Sequence, residues 1–142
     1  MNTLSMHRFA LLYARIALAA AFLSGIASRF GWYGKNVGYG NFQNFIAYTA
    51  QVNSFMPAWT IHVLAYSATF LEFALGIALL VGYKLRWVAV VSAALLFWFG
   101  TAMAISFGVK SPLDYSVYSA SAAALLIALA AEPAKACVAM EH

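Results

Sequence analysis

Four apolar blocks divide the chain, at 9–28, 57–81, 85–107 and 112–131, and each predicts a helix. The blocks hold 20 to 25 residues, so each reaches the ~30 Å of a bilayer core at a rise of about 1.5 Å per residue. Their polar interruptions are few: Arg15 in the first, His62 and Glu72 in the second, Arg86 at the start of the third and Asp114 early in the fourth. Gly82 and Gly108 stand where left-handed caps would end the second and third helices. Pro57 is placed to open the second helix, and Ser111-Pro112-Leu113-Asp114 reads as an N-cap, a proline at the first helical position and an acid in the first turn. Glu132-Pro133 marks the end of the fourth block. Between the first two blocks, Phe42, Phe45, Ile46, Thr49 and Val52 or Asn53 recur at helical spacing, with Asn41, Gln43, Asn44 and Gln51 between them. That pattern predicts an amphipathic segment over 42–55, lying along the membrane interface or folding back over the bundle. The expected fold is therefore all-α: one integral membrane four-helix bundle spanning 1–142, with an interfacial or lid-like helical segment between helices one and two.

Composition agrees. Of 142 residues 65% are hydrophobic and only 8% charged, where a soluble surface needs roughly 25–35%. Membrane lipids are the expected surroundings. The net charge of +4 comes from scattered single residues, with no basic stripe to follow a phosphate backbone, so nucleic acid is not an expected partner. Positive residues near the ends of the blocks act as topology signals instead. Arg8, Lys84, Arg86 and Lys135 fall on one side, Arg29, Lys35 and Lys110 on the other, which places both termini in the cytoplasm. Arg15 in the middle of the first block argues that this block is a retained helix and not a cleaved signal peptide. The lone Cys137 makes no internal disulfide.

Ionisable residues inside a membrane are costly unless paired or hydrated. Counting helical rise from the side of the termini puts Arg15 about 9 Å deep and Glu72 about 14 Å deep on the adjoining helix. They are expected to pair, either as a structural bridge or as the wall of an internal cavity. Phe97-Trp98-Phe99 sits near the middle of the third block, too deep for three headgroup anchors, and the indole nitrogen needs a partner there. These rings either pack the core or form a lipophilic-ligand site where a flat molecule such as a quinone would stack. His62 and the Trp32-Tyr33 pair of the glycine-rich 31–40 stretch are candidates for the same site, and they also read as packing or interface residues. His7, His62 and His142 do not form a matched pair of deep haem ligands, and no metal-ligand spacing occurs. Small residues at four-residue spacing, Ala17-Ala21-Gly25, Ala89-Ala93 and Ala120-Ala124-Ala128, suit close helix packing.

Three stretches resemble the DoxX family of small four-helix membrane proteins. They are the first-helix segment 15–25 opened by Arg15, the Glu72-to-Gly82 half of the second helix, and the basic turn Lys84-Leu85-Arg86-Trp87. Members often carry a lysine shortly after the first-helix glycine, and Arg29 stands in that region here. The resemblance implies a multi-pass bacterial inner-membrane protein. Some relatives are subunits of quinone-linked oxidoreductases, which points to a redox-enzyme partner subunit and no stand-alone catalysis. A non-enzymatic scaffold or assembly factor stays open, as do a small-solute transporter and a homodimer.

Overall fold

The computed structural model describes residues 2–131, and within them the chain forms six helices. They are α1 (Thr3–Arg29), α2 (Phe42–Val52), α3 (Thr60–Val81), α4 (Leu85–Phe107), α5 (Lys110–Asp114) and α6 (Val117–Ala130). Among the described residues, α1, α3 and α4 are each long and apolar enough to cross a membrane. The chain is all-α and built for a bilayer. Cys137, Lys135, His142 and the Glu132-Pro133 stop lie outside the described residues.

Antiparallel packing of α1 on α3 organises the bundle. The Gly25 backbone lies against the Glu72 carboxylate, Gly76 receives Leu23, and the Arg15 guanidinium reaches the Leu79 and Leu80 carbonyls. This nearly one-to-one register brings Arg29, the last residue of α1, level with Thr69. The first nine residues of α3, about 13 Å of helix, therefore extend past the end of α1. On the other side α4 packs along α6, where Ser121 donates to the Ala93 carbonyl and Gly100 accommodates the Tyr118 ring. One buried cluster joins all four helices through Leu18, Phe22, Leu75, Leu79, Ala93 and Ile127.

Helix α2 occupies the space beyond the end of α1. Its Asn41 N-cap accepts the Asn44 backbone N–H at 2.8 Å, satisfying a donor of the first turn. One part of its apolar face, Phe45 and Ile46, packs on Ile61 and Ala65 of α3. Its last turn places Val52 on Ala102 and Met103 of α4. The Ser106 hydroxyl donates to the Val52 carbonyl and shares a 3.0 Å hydrogen bond with Ser54, which pins the end of α2 to the end of α4.

Several expectations need correction. The 112–131 block is not one helix: Ser116 turns to φ 55 after α5, and α6 retains 14 residues, about 21 Å. Pro112 sits in the third position of α5, so Ser111 is not its N-cap. Pro57 precedes α3 in a turn whose carbonyl accepts both the Thr60 hydroxyl and its N–H. Gly82 does take the left-handed cap, at φ 79 and ψ 22, whereas Gly108, at φ 86 and ψ 160, has a positive φ but lies outside the left-handed helical region. On α1, Ala17 and Ala21 face outward, and Leu18, Ala19, Phe22 and Ile26 make the buried seam.

Candidate functional site

Glu72 does form a buried ion pair, but with Arg29 and not with Arg15. Arg29 Nη2 donates to both carboxylate oxygens, at 2.8 and 2.7 Å, and Nη1 donates to the Thr69 hydroxyl at 2.9 Å. The two residues are each only 4% exposed, and the guanidinium stacks on the Phe45 ring at 3.8 Å from its centroid. Arg15 is occupied elsewhere, its Nε and Nη2 donating to the Leu79 and Leu80 carbonyls at 3.0–3.2 Å. Those carbonyls belong to the last turn of α3, which has no intrahelical partners for them and carries the negative end of the helix dipole. Depth alone therefore misleads. Arg15 meets a helix end, while Arg29, which looks like a loop cation in sequence, is drawn inside because α1 continues one residue past the expected span and α2 covers its end.

Above this ion pair lies a cavity of about 790 Å³. It is walled by Leu64, Ala68 and Leu71 on α3, Leu95, Phe99 and Ala102 on α4, and the Phe45-Tyr48-Thr49 face of α2. Arg29 forms part of its wall. The α3 and α4 residues recur at three- and four-residue steps, so each helix presents one continuous apolar stripe to the space. Although α3 and α4 are joined by the tight 82–84 turn, they touch far less than α1 touches α3 or α4 touches α6. Their separation makes room for the cavity.

Three tyrosines from separate segments also line it: Tyr39, Tyr48 and Tyr115. Tyr39 is set by a loop that glycine makes feasible, with Gly38 and Gly40 at φ +64 and +72. Its N–H donates to Ser28 Oγ at 2.9 Å, its carbonyl accepts from Asn44 Nδ2 at 2.8 Å, and its ring packs 5.3 Å from that of Tyr48. Burial pushes the Tyr39 hydroxyl up to about 12, with the neighbouring Tyr48 adding to the shift and Arg29 opposing it. Burial, then Tyr115, also raises Tyr48. Both phenols are neutral hydrogen-bonding groups at physiological pH.

The remaining candidates separate. Trp98 and Phe99 line the cavity, while Phe97 points away and packs on Tyr118 at 5.9 Å. Consecutive helical residues diverge by about 100°, so the three rings cannot share one face. His62 is exposed in the first turn of α3, outside the cavity wall. Trp32 is 78% exposed, and Tyr33 reaches back to share a 3.0 Å hydrogen bond with Ser24, so neither belongs to this site. Sequence reasoning missed Arg29 and the tyrosines as site residues. The signal for Arg29 was its place one residue after the small-residue run of the first helix. Among the described residues no group of three or more His, Cys, Asp or Glu side chains comes together to hold a metal ion.

A bundle with three membrane-length apolar helices, a buried ion pair and an internal apolar cavity defines a multi-pass helical membrane protein with room for a small molecule. The DoxX family model matches residues 10–105, more than half of the chain, and the protein belongs to that family. No curated protein and no solved structure matches it.

Proposed function

We propose that the chain is a quinone-interacting accessory subunit of a bacterial inner-membrane oxidoreductase complex, with the α2–α3–α4 cavity as its ligand site. The observation that carries this assignment is the cavity itself. Its volume lies within the ~300–1,000 Å³ typical of small-molecule pockets, and its walls are mostly aliphatic and aromatic with few polar groups. Trp98, 53% exposed, and the exposed Ser67 both line it, so its mouth lies between α3 and α4 on the face turned to lipid. A lipid-dissolved ring enters there without crossing water. Helix α2, fastened to α4 through Ser106, serves as the lid, and α5 with α6 makes the fourth crossing. Withdrawal of Arg29 into the ion pair leaves Lys35 and Lys110 on the loop side against Arg8, Lys84 and Arg86 on the other. That count favours cytoplasmic termini. A redox partner subunit supplies the electrons.

The test is gentle purification from the native membrane, with mass spectrometry of lipophilic small molecules and of co-purifying proteins. Quinone near one equivalent together with a redox subunit is expected, and Ala68→Leu, which narrows the cavity at its wall, should lower the bound quinone. Protein that carries no quinone, and whose Trp98 emission ignores an added short-chain benzoquinone, would overturn the assignment. The enclosure of Arg29 and Glu72 favours a scaffold as the second reading; a scaffold would retain its protein partners in Ala68→Leu and bind no ring.

A further inference from the structure

Arg29 has five N–H groups and spends them unevenly. Nη1 serves Thr69, and Nη2 alone serves both oxygens of Glu72. In the side-on fork usual for an arginine–carboxylate pair, Nε and Nη2 would each take one oxygen. Here both oxygens gather on Nη2, and Nε–H is left over together with the second N–H of Nη1. Nε is buried and has no hydrogen-bond partner at all, the only buried side-chain nitrogen or oxygen in that position among the described residues. Native structures rarely leave such a donor without an acceptor, and an exception calls for a cause. Arg29 is also a wall of the cavity, so acceptor-bearing molecules there come to a residue with a donor to spare.

Charge narrows the class of molecule. The guanidinium's charge is already balanced by Glu72 at 2.7 Å, so the pair offers a donor but no net positive charge. An anion entering this apolar space would lose its hydration, gain no uncompensated cation and face the Glu72 carboxylate. An uncharged carbonyl oxygen avoids these penalties and accepts a hydrogen bond from a charged donor, the stronger kind. Building on the cavity as the ligand site, we propose that Arg29 is the specificity-determining residue of the site: its Nε–H takes an uncharged ring carbonyl of the ligand and the pair as a whole turns away anionic lipids. Tyr39, Tyr48 and Tyr115 supply further hydroxyls to the same space.

The experiment uses the full chain in lipid nanodiscs, reading binding of a short-chain 1,4-benzoquinone by quenching of Trp98 emission, with Trp98→Phe as the blank. Competitors are a fatty acid of matching tail length and a tail-matched benzene without carbonyls. Both are expected to displace the quinone at least tenfold less well than unlabelled quinone does. Arg29→Lys keeps a cation beside Glu72 but has no Nε–H, and a tenfold or larger rise in Kd is expected with the protein still folded. An unchanged Kd in Arg29→Lys would overturn the donor role while leaving the cavity assignment intact. A fatty acid that competes as well as the quinone would overturn the exclusion of anions. Where Arg29→Lys fails to fold, the benzene competitor decides in the wild-type chain, since equal affinity would show that no carbonyl is recognised. Absence of quinone binding to the wild type, or binding insensitive to Ala68→Leu, would instead remove the cavity assignment.

Discussion

Two double-mutant cycles separate the ion pair that the structure shows from the one that depth along the sequence suggests. In the first, Glu72→Gln, Arg29→Met and their combination are compared with the wild type. Glu72→Gln leaves an arginine that is 4% exposed with a full charge and no counterion. Removing one partner of such a buried pair costs about 3–5 kcal/mol. The double variant removes the charge together with its partner, and replacing both members of a buried pair is often close to neutral. The Arg29–Glu72 coupling should therefore reach or exceed about 3 kcal/mol, the upper end of what contacting residues show. In the second cycle Arg15→Gln is combined with Glu72→Gln. Arg15 bonds the Leu79 and Leu80 carbonyls, seven and eight residues beyond Glu72, or about 10–12 Å along α3. Sites that far apart with no shared partner add within about 0.5 kcal/mol. Unfolding by SDS titration in mixed micelles, checked by thermal scans in detergent, supplies the four free energies of each cycle. Near-additive losses for Arg29 and Glu72, or a large coupling for Arg15 and Glu72, would refute the assigned pairing.

Gly82→Ala should destabilise the protein by about 1–2 kcal/mol from the left-handed backbone alone, and by more because its Cβ would lie 2.6 Å from Arg15 Nη2; an unchanged melting temperature would contradict the cap geometry. Gly38→Ala puts a side chain on a left-handed backbone and drives a Cβ into Ser28 Oγ, displacing Tyr39, so benzoquinone binding should fall together with a stability loss of at least about 1–2 kcal/mol, measured side by side by Trp98 quenching and a thermal scan. Tyr39 ionises in the unfolded chain near 10 and in the folded protein at about 12, so the folded state holds its proton more tightly. Its contribution leaves stability flat below about pH 10 and lowers it as pH rises from about 10 to 12; phenolate absorbance should show a late-titrating tyrosine that Tyr39→Phe removes. Ser106→Ala frees the end of α2, and amide exchange in α2 should accelerate while α1 and α3 stay protected.

Much of the fold was legible because the bilayer imposes a simple rule on the sequence. Apolar runs of sufficient length marked α1, α3 and α4, and the helical spacing of Phe42, Phe45, Ile46 and Thr49 marked α2. The same rule hid the break at Tyr115-Ser116, since apolar content is blind to a single residue in a left-handed conformation. Partner choice for the charges was illegible for a related reason. Counting rise along separate helices assumes that they begin and end together, whereas α1 and α3 are staggered so that Arg15 reaches the end of α3 and Arg29 its middle. Trp98 and Phe99 were within reach of sequence reasoning because deep aromatics need a seat. Tyr39 was not, because its position depends on Gly38, Gly40 and the Ser28 hydroxyl acting together.

The stagger also accounts for where the cavity lies. Below Thr69, α1 runs along α3 with Leu18, Phe22 and Ile26 in the buried seam. Above it the seam would lie open, because α1 ends and two turns of α3 stand beside α4 without a neighbour. Helix α2 covers that gap, yet with 11 residues it contacts α3 near Ile61 and α4 near Met103 without filling the region between them. Because α1 ends there, its last residue, Arg29, necessarily forms part of the boundary. Buried in that position, the guanidinium needs Glu72 to be stable, and the way the two meet leaves Nε without a partner. The ion pair and the cavity are thus two consequences of a single helix end.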